Sequence, residues 1–210
     1  MKYFVFAFAI AVMAQPQLPK EAPKESIQAL GYRWDVQSAG DWAIEKEGGV
    51  EILRLRKRGE PTVPRRPTKF AIADTGPFKK VTVELEMRRQ GGKSLMIVYG
   101  WQDPNHWNYA HVSGDEGKQV NVHNGMFHVF GGERVRISSL EGPNSLPTEE
   151  WTPVKLVFDG ETGRCYVEVK GKRNPSLEAV DLSLRWGKIG LGSFNETGDF
   201  RNLKITGTPR

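Results

Sequence analysis

TPVKLVFDGETGRCYVEVKG, residues 152–171, holds two runs in which apolar and polar side chains alternate. Between them lies Asp159-Gly160-Glu161-Thr162-Gly163, a hairpin loop closed by glycine. A period of two is the pattern of a strand with one face buried, and two such runs around a short Gly-containing loop form an antiparallel hairpin. In the second run Cys165 shares a face with Val167 and Val169, while Tyr166, Glu168 and Lys170 point the other way. The chain has 1 cysteine, so it has no intrachain disulfide, and Cys165 reads as a buried, inert thiol rather than a nucleophile.

The same alternation recurs outward from this hairpin. Strands are expected at 50–57, 80–88, 94–101, 106–113, 118–123, 126–130, 152–159, 164–171, 187–194 and 199–207, separated by Gly, Pro, Asn and Asp. SLEAVDLSL (176–184) reads as a single helical turn or an irregular excursion, and no long stretch has helical period. Ten strands without crossover helices exclude a parallel sheet and predict an all-β, antiparallel two-sheet sandwich. The loops 59–69 and 138–150 are long and proline-rich, and loops of that length carry function or lie over a sheet rim. Arg65-Arg66 with Lys69 reads as a solvated basic loop, with anion binding as the lesser alternative.

Residues 1–14, MKYFVFAFAIAVMA, place one lysine before an apolar run that ends in a small-residue cleavage pattern, and read as a secretory signal peptide. Residues 15–27 carry three prolines and alternating charge and read as a linker, leaving 28–210 as one sandwich domain. The expected location is periplasmic or secreted, in a bacterium, with no membrane span once the leader is removed. A net charge of +5 among 25 acidic residues is no nucleic-acid footprint. The sequence leaves the oligomeric state open.

QVNVHNGMFHVF (119–130) reads as a second hairpin, with Asn124-Gly125 as a type I′ turn. That register puts Asn121, His123, Met126 and His128 on an outer face, and Val120, Val122, Phe127 and Val129 in the core. In 80–88, Val81, Val83, Leu85 and Met87 are the buried set, leaving Glu84, Glu86 and Arg88 outside. In 94–101, Leu95, Ile97, Tyr99 and Trp101 share one face. In 106–113, Ala110 and Val112 suit the core, so Trp107, Tyr109 and His111 join the outer set. Such a face is suited to sugars, because flat rings stack on apolar sugar faces while amides, imidazoles and carboxylate–guanidinium pairs bond hydroxyls. The competing reading is that long loops cover it and its rings form a minor core.

Three segments together resemble the concanavalin A-like (laminin G-like) jelly-roll family: VELEMRRQGGKSLMIVYGWQDPNHWNYAHVS (83–113), WTPVKLVFDGETGRCYVEVKGK (151–172) and GKIGLGSFNETGDFRNLKITG (187–207). Within the second strand of the first segment, Asp103, Asn105, Trp107 and Tyr109 follow the family's pattern. The resemblance spans roughly residues 34–207 and is nearest to bacterial domains of the 3-keto-disaccharide hydrolase type. It implies a lectin- or glucanase-type sandwich, a carbohydrate partner, and hydrolysis of (3-keto-)glycosides on a concave face. It leaves room for a structural calcium but implies no other cofactor. Phe200-Arg201-Asn202 stands where the family's closing motif has an Asp at the middle position, which puts any role of that Asp in doubt.

Glu84 and Glu86 sit two apart, but Arg88 stands where a laminarinase-like enzyme has its last carboxylate, and a guanidinium beside Glu86 makes it a poor general acid. The four histidines lack zinc-site spacing, so no metal is assigned. The expected catalytic candidates are Glu86, His123 and His128, and the expected sugar contacts are Arg88, Trp101, Trp107, Tyr109, His111 and Asn121. The alternatives are a glycan-binding module without turnover and a structural or protein-interaction sandwich.

Overall fold

The computed structural model describes residues 25–114 and 123–210. The strands are β1 (Glu25–Ala29), β2 (Tyr32–Val36), β3 (Trp42–Glu47), β4 (Val50–Leu55), β5 (Lys69–Ala73), β6 (Phe78–Arg89), β7 (Ser94–Asp103) and β8 (His106–Ser113). They continue as β9 (Gly125–Phe130), β10 (Glu133–Arg136), β11 (Thr152–Asp159), β12 (Arg164–Val169), β13 (Lys172–Val180), β14 (Lys188–Ser193) and β15 (Gly198–Pro209). They form an 8-stranded sheet, β1-β2-β5-β14-β7-β8-β9-β10, and a 7-stranded sheet, β13-β12-β11-β6-β15-β4-β3. The fold is the antiparallel jelly-roll sandwich that the alternation predicts. The signal peptide, most of the linker, and residues 118–122 of the expected hairpin lie outside the described residues; β1 begins within the stretch read as linker.

The hairpin 152–171 folds as read, with Phe158 opposite Cys165 and Val154 opposite Val169. Val154, Leu156, Phe158, Cys165 and Val167 enter the main core beside Val81, Val83, Leu85 and Met87 of β6. The facing sheet contributes Leu95, Ile97 and Tyr99 from β7, Ala110 and Val112 from β8, and Met126 from β9. Burial pushes the Cys165 pKa far up and keeps the thiol protonated, against the smaller lowering effect of its hydrogen bond with Tyr99. Residues 176–180, read as a helical turn or excursion, lie in β13.

Three expectations about faces change. The 8-stranded sheet is apolar on both sides: Phe70, Ile72, Met96, Val98, Trp101, Trp107, Tyr109, Phe127 and Val129 form a second buried cluster on the side away from the main core. Trp101 belongs to that cluster rather than to the face of Leu95, Ile97 and Tyr99. The register of β7 slips between Tyr99 and Asp103 at Gly100, whose φ is +62°. Against β14 the slip inserts one residue between Val98 and Trp101, which inverts the parity at Trp101, and glycine adopts that φ at little cost.

The β9 faces are also reversed. Because β8 pairs with β9 as Trp107↔Val129, Tyr109↔Phe127 and Asn108↔His128, Phe127 and Val129 stand with the aromatic residues, while Met126 and His128 face the other sheet. Finally, Asn124-Gly125 is not a type I′ turn. Gly125 opens β9 opposite His111, and neither residue has positive φ.

Asn124 is instead fully buried. Its Oδ1 accepts from Ser113 N (3.1 Å) and Ser145 Oγ (3.1 Å), and its Nδ2 donates to Pro143 O (2.9 Å) and Ser176 Oγ (2.7 Å). Asn174 completes the ring through Pro143 O, Ser145 Oγ and Ser176 Oγ. The amide thus ties the end of β8 and the 138–150 loop of one sheet to β13 of the other. A buried polar network is stable only when every member is satisfied. Asn124→Ala should lower the unfolding free energy by about 2–4 kcal/mol, because it strands several buried donors and acceptors at once. Asn124→Gly, nearly neutral in a type I′ turn, should be at least as costly. Urea unfolding midpoints of both variants check this; a change below about 0.5 kcal/mol in the glycine variant would restore the turn.

Candidate functional site

The second apolar cluster occupies the face that the sequence reading gave to sugars. Phe70–Trp101, Phe70–Trp107, Trp101–Trp107 and Trp107–Tyr109 have ring centroids 4.9, 5.3, 5.6 and 5.3 Å apart, and Tyr109 stacks on Phe127 at 5.2 Å. These spacings favour offset and tilted ring pairs. None of these rings is an open platform: Trp107 and Tyr109 are 1% and 0% exposed. The reading in which loops cover this face is therefore the one realised here.

The cover is the loop 59–68. Pro67 and Arg66 are buried, and Arg66 Nη1 donates to Asn105 Oδ1 (3.0 Å), Pro104 O (3.3 Å) and Gly132 O (3.4 Å). Burial lowers the Arg66 pKa against the opposing charge of Glu133, yet a guanidinium stays protonated, so this cation is held by neutral oxygens alone. Lys69 bonds the buried Asp41 at 2.6 Å. The loop read as solvated is thus anchored at two of its three cations, and only Arg65 is exposed.

Past Arg65 the cover ends, and a small hollow of about 60 Å³ opens, lined by Arg65, Ser94, His111, His123, Arg134, Phe194, Asn195 and Glu196. β7 supplies Ser94, β8 supplies His111 and β10 supplies Arg134, while the turn from β14 to β15 brings Phe194, Asn195 and Glu196. His111 Nδ1 faces the backbone carbonyl of His123 and therefore carries a proton, since a carbonyl only accepts. Its Nε2 lies 2.7 Å from Ser94 Oγ, and that hydroxyl lies 3.2 Å from Glu196 Oε2. Glu196 Oε2 also accepts from Ser193 Oγ (3.1 Å) and from Asn195 N (3.0 Å). Arg134 donates to Tyr109 Oη at 3.3 Å. Burial pushes the Tyr109 hydroxyl well above its ordinary pKa despite the opposing charge of Arg134, so it stays a neutral phenol. The Asn195 side-chain oxygen is shielded and has no partner among the described residues.

Of the residues singled out by sequence, His111 and His123 meet in this hollow, their rings 6.1 Å apart. Trp101, Trp107 and Tyr109 are buried in the second cluster and do not line the hollow. Asn121 lies outside the described residues. His128 faces the opposite side of the sheet, 3.4 Å from Asp181. Glu86 and Arg88 are on the other sheet altogether and do not pair with each other: Glu86 accepts from Arg201 Nε (2.5 Å) and Asn202 Nδ2 (2.8 Å). Arg88 donates to Asp199 (2.7 Å) and Glu47 (2.8 Å) and lies 4.2 Å over the Trp151 ring. The three catalytic candidates therefore share no site. The composite face fails because side-chain alternation tells which residues share a face within one strand, not which strands share a sheet. Arg134, Phe194, Asn195, Glu196 and Ser94 went unread as site residues, since they come from strand ends that no spacing rule links.

No protein-family model matches the chain, and no curated protein matches it in sequence. Solved structures do share its fold. The carbohydrate-binding module CBM66 from Bacillus subtilis superposes with a TM-score of 0.61 at 17% identity, covering 82% of this chain and 94% of that one. A candidate glycosyl hydrolase from Parabacteroides distasonis gives 0.55 at 15% identity, covering 81% and 91%. A protein of unknown function with a galectin-like fold, also from Bacillus subtilis, gives 0.51 at 14% identity, covering 81% and 88%. What these structures share with the chain is the two-sheet antiparallel jelly-roll sandwich, and at these identities the likeness is one of fold.

The Glu86–Arg88 region has a structural task that predicts its own pH dependence. Asp199, with a fully buried side chain, accepts from Arg54 Nε (2.7 Å), Arg88 Nη2 (2.7 Å) and Gln90 Nε2 (2.8 Å). Burial raises its pKa, but the bonds from Arg54, Arg88 and Gln90 outweigh burial and hold it below the ordinary carboxylate value. A depressed folded pKa gives stability that is complete above the unfolded value and is lost as pH falls toward the folded one. Asp199→Asn should cost roughly 3–5 kcal/mol at neutral pH, leaving two guanidiniums short of a counter-charge. Urea titrations across acid pH should show the wild type losing stability through the carboxylate range and the variant losing less; parallel curves would contradict the assignment.

Proposed function

We propose that this domain binds carbohydrate in the corner hollow beside the loop 59–68, without turning it over. The observation that supports this is the hollow itself: one sheet edge gathers two guanidiniums, two imidazoles, an amide with an unpartnered oxygen and a carboxylate. Planar forks, imidazoles and amides are the groups that bond the hydroxyls of a sugar. The likeness in fold to a carbohydrate-binding module and to a candidate glycosyl hydrolase agrees with this choice.

Binding is preferred to hydrolysis of (3-keto-)glycosides because Glu86, His123 and His128 stand on two sheets and on opposite faces of one of them. Glu196, the one carboxylate at the hollow among the described residues, is held by the Ser94 and Ser193 hydroxyls and a backbone N–H. The apolar leader at 1–14 places the domain outside the cytoplasm on this reading, where polysaccharide is at hand, and no helix of the described residues is long and apolar enough to cross a membrane.

Isothermal titration against oligosaccharides chosen from a glycan array should give saturable binding. His123→Ala should weaken it roughly 10-fold or more, the scale of one or two lost polar contacts, while Trp151→Ala on the other sheet leaves it unchanged. Reducing-sugar release from disaccharides and 3-keto-glucosides should stay at background. Release that His123→Ala abolishes would make the domain an enzyme, and a blank array would remove the carbohydrate reading.

A further inference from the structure

We propose that the corner hollow selects saccharides that carry an oxyanion, a uronate carboxylate or a sulfate ester, with Arg65 and Arg134 as the clamp. This deepens the carbohydrate reading and rests on it.

The argument begins with charge. Both guanidiniums lie over one ring: Arg65 Cζ is 5.1 Å from the Phe194 centroid and Arg134 Cζ is 5.0 Å from it. Two like charges held around a single ring repel, and most protein sites of this kind place a carboxylate between them. Here neither guanidinium has a carboxylate oxygen within 4.0 Å among the described residues. On the other sheet the contrast is plain: Arg54 meets Glu45 and Asp199, Arg88 meets Glu47 and Asp199, and Arg201 meets Glu86. Among the described residues Glu196 is the single carboxylate of the lining, and its Oε2 is turned to Ser193 Oγ and the Asn195 backbone N–H.

The second element is how the two cations are placed. The Phe194 face under each guanidinium and, for Arg134, the Phe127 ring at 4.9 Å fix the planes without using the outward N–H donors. Arg134 gives one donor to Tyr109 Oη, a neutral acceptor kept neutral by burial, and its remaining donors have no protein partner among the described residues. A guanidinium oriented by stacking with free forked donors is suited to bidentate capture of a carboxylate or sulfate. The neighbour Arg66 shows what the same loop does with a cation meant only for structure: it is buried on three oxygens. Arg65, one residue earlier, is exposed at the mouth of the hollow. The Asn195 side-chain oxygen, without a partner among the described residues, then remains for a sugar hydroxyl.

The test compares matched ligands that differ only in charge: tri-galacturonate against its fully methyl-esterified form, and a sulfated galacto-oligosaccharide against its desulfated form. Isothermal titration of the full chain should show at least one charged ligand bound roughly 10- to 100-fold more tightly than its neutral twin, with affinity falling as salt rises. Which pair responds distinguishes carboxylate from sulfate. Arg65→Gln and Arg134→Gln should each remove most of that difference, and Arg65→Lys, which keeps charge but loses the fork, should restore only part of it. Arg65 is exposed, so its variants keep the fold even if Arg134→Gln does not. Equal binding of charged and neutral twins overturns anion selection and leaves the carbohydrate site standing. Charge-selective binding untouched by either glutamine variant overturns the clamp. Absence of binding to all four ligands, and to every array glycan, overturns the carbohydrate reading and this inference with it.

Discussion

The 8-stranded sheet is apolar on both faces, and the rest of the molecule is arranged around covering it twice. One face packs on the 7-stranded sheet in the ordinary way, through Leu95, Ile97, Tyr99, Ala110, Val112 and Met126. The other carries Phe70, Trp101, Trp107, Tyr109 and Phe127, an aromatic surface that would be expensive to leave in water. Among the described residues no third sheet or helix layer covers it. The loop 59–68 does so instead, and the cost of burying Arg66 in its underside is offset by three oxygens from the two neighbouring turns. Where that loop runs out, at Arg65, the sheet edge is left open and polar.

The same economy of connection holds the two sheets in register at the far end of β8. Asn124 and Asn174 share Pro143 O, Ser145 and Ser176 in one closed set of hydrogen bonds, joining the 138–150 loop to both sheets. This fixes the residues that precede β9, and His123 with them. His123 in turn offers its carbonyl to His111, so the wall of the hollow is positioned by a buried amide that takes no part in it.

Fold class was fully legible in the sequence, because period-two alternation broken by glycine, proline and asparagine has few other solutions. The hairpin 152–171 is right in pairing and in faces because its loop is short and both strands are half-buried. Faces failed where geometry outside the strand intervenes. At Gly100 a bulge of β7 shifts Trp101 to the other side, and the isolated glycine of SLMIVYGW is the local mark of it that period-two sorting passes over. At Asn124-Gly125 a strong turn signal is overridden by burial of the asparagine in a tertiary network. β1, β2, β3, β5 and β10 were not expected as strands, being at most six residues long with weak alternation. Of the site, His111 and His123 were found by residue type alone, while Arg134, Phe194 and Glu196 needed the strand order to be seen together.

The central claim is that recognition resides at the corner of the 8-stranded sheet, where the loop cover ends, and not on the exposed face of the 7-stranded sheet that carries Glu84, Glu86 and Trp151. Backbone amide chemical-shift mapping during titration with a bound oligosaccharide tests it most directly. The account predicts shifts confined to residues around Arg65, Ser94, His111, His123, Arg134 and 194–196. Shifts centred on β6 and Trp151, with the corner unchanged, would contradict it.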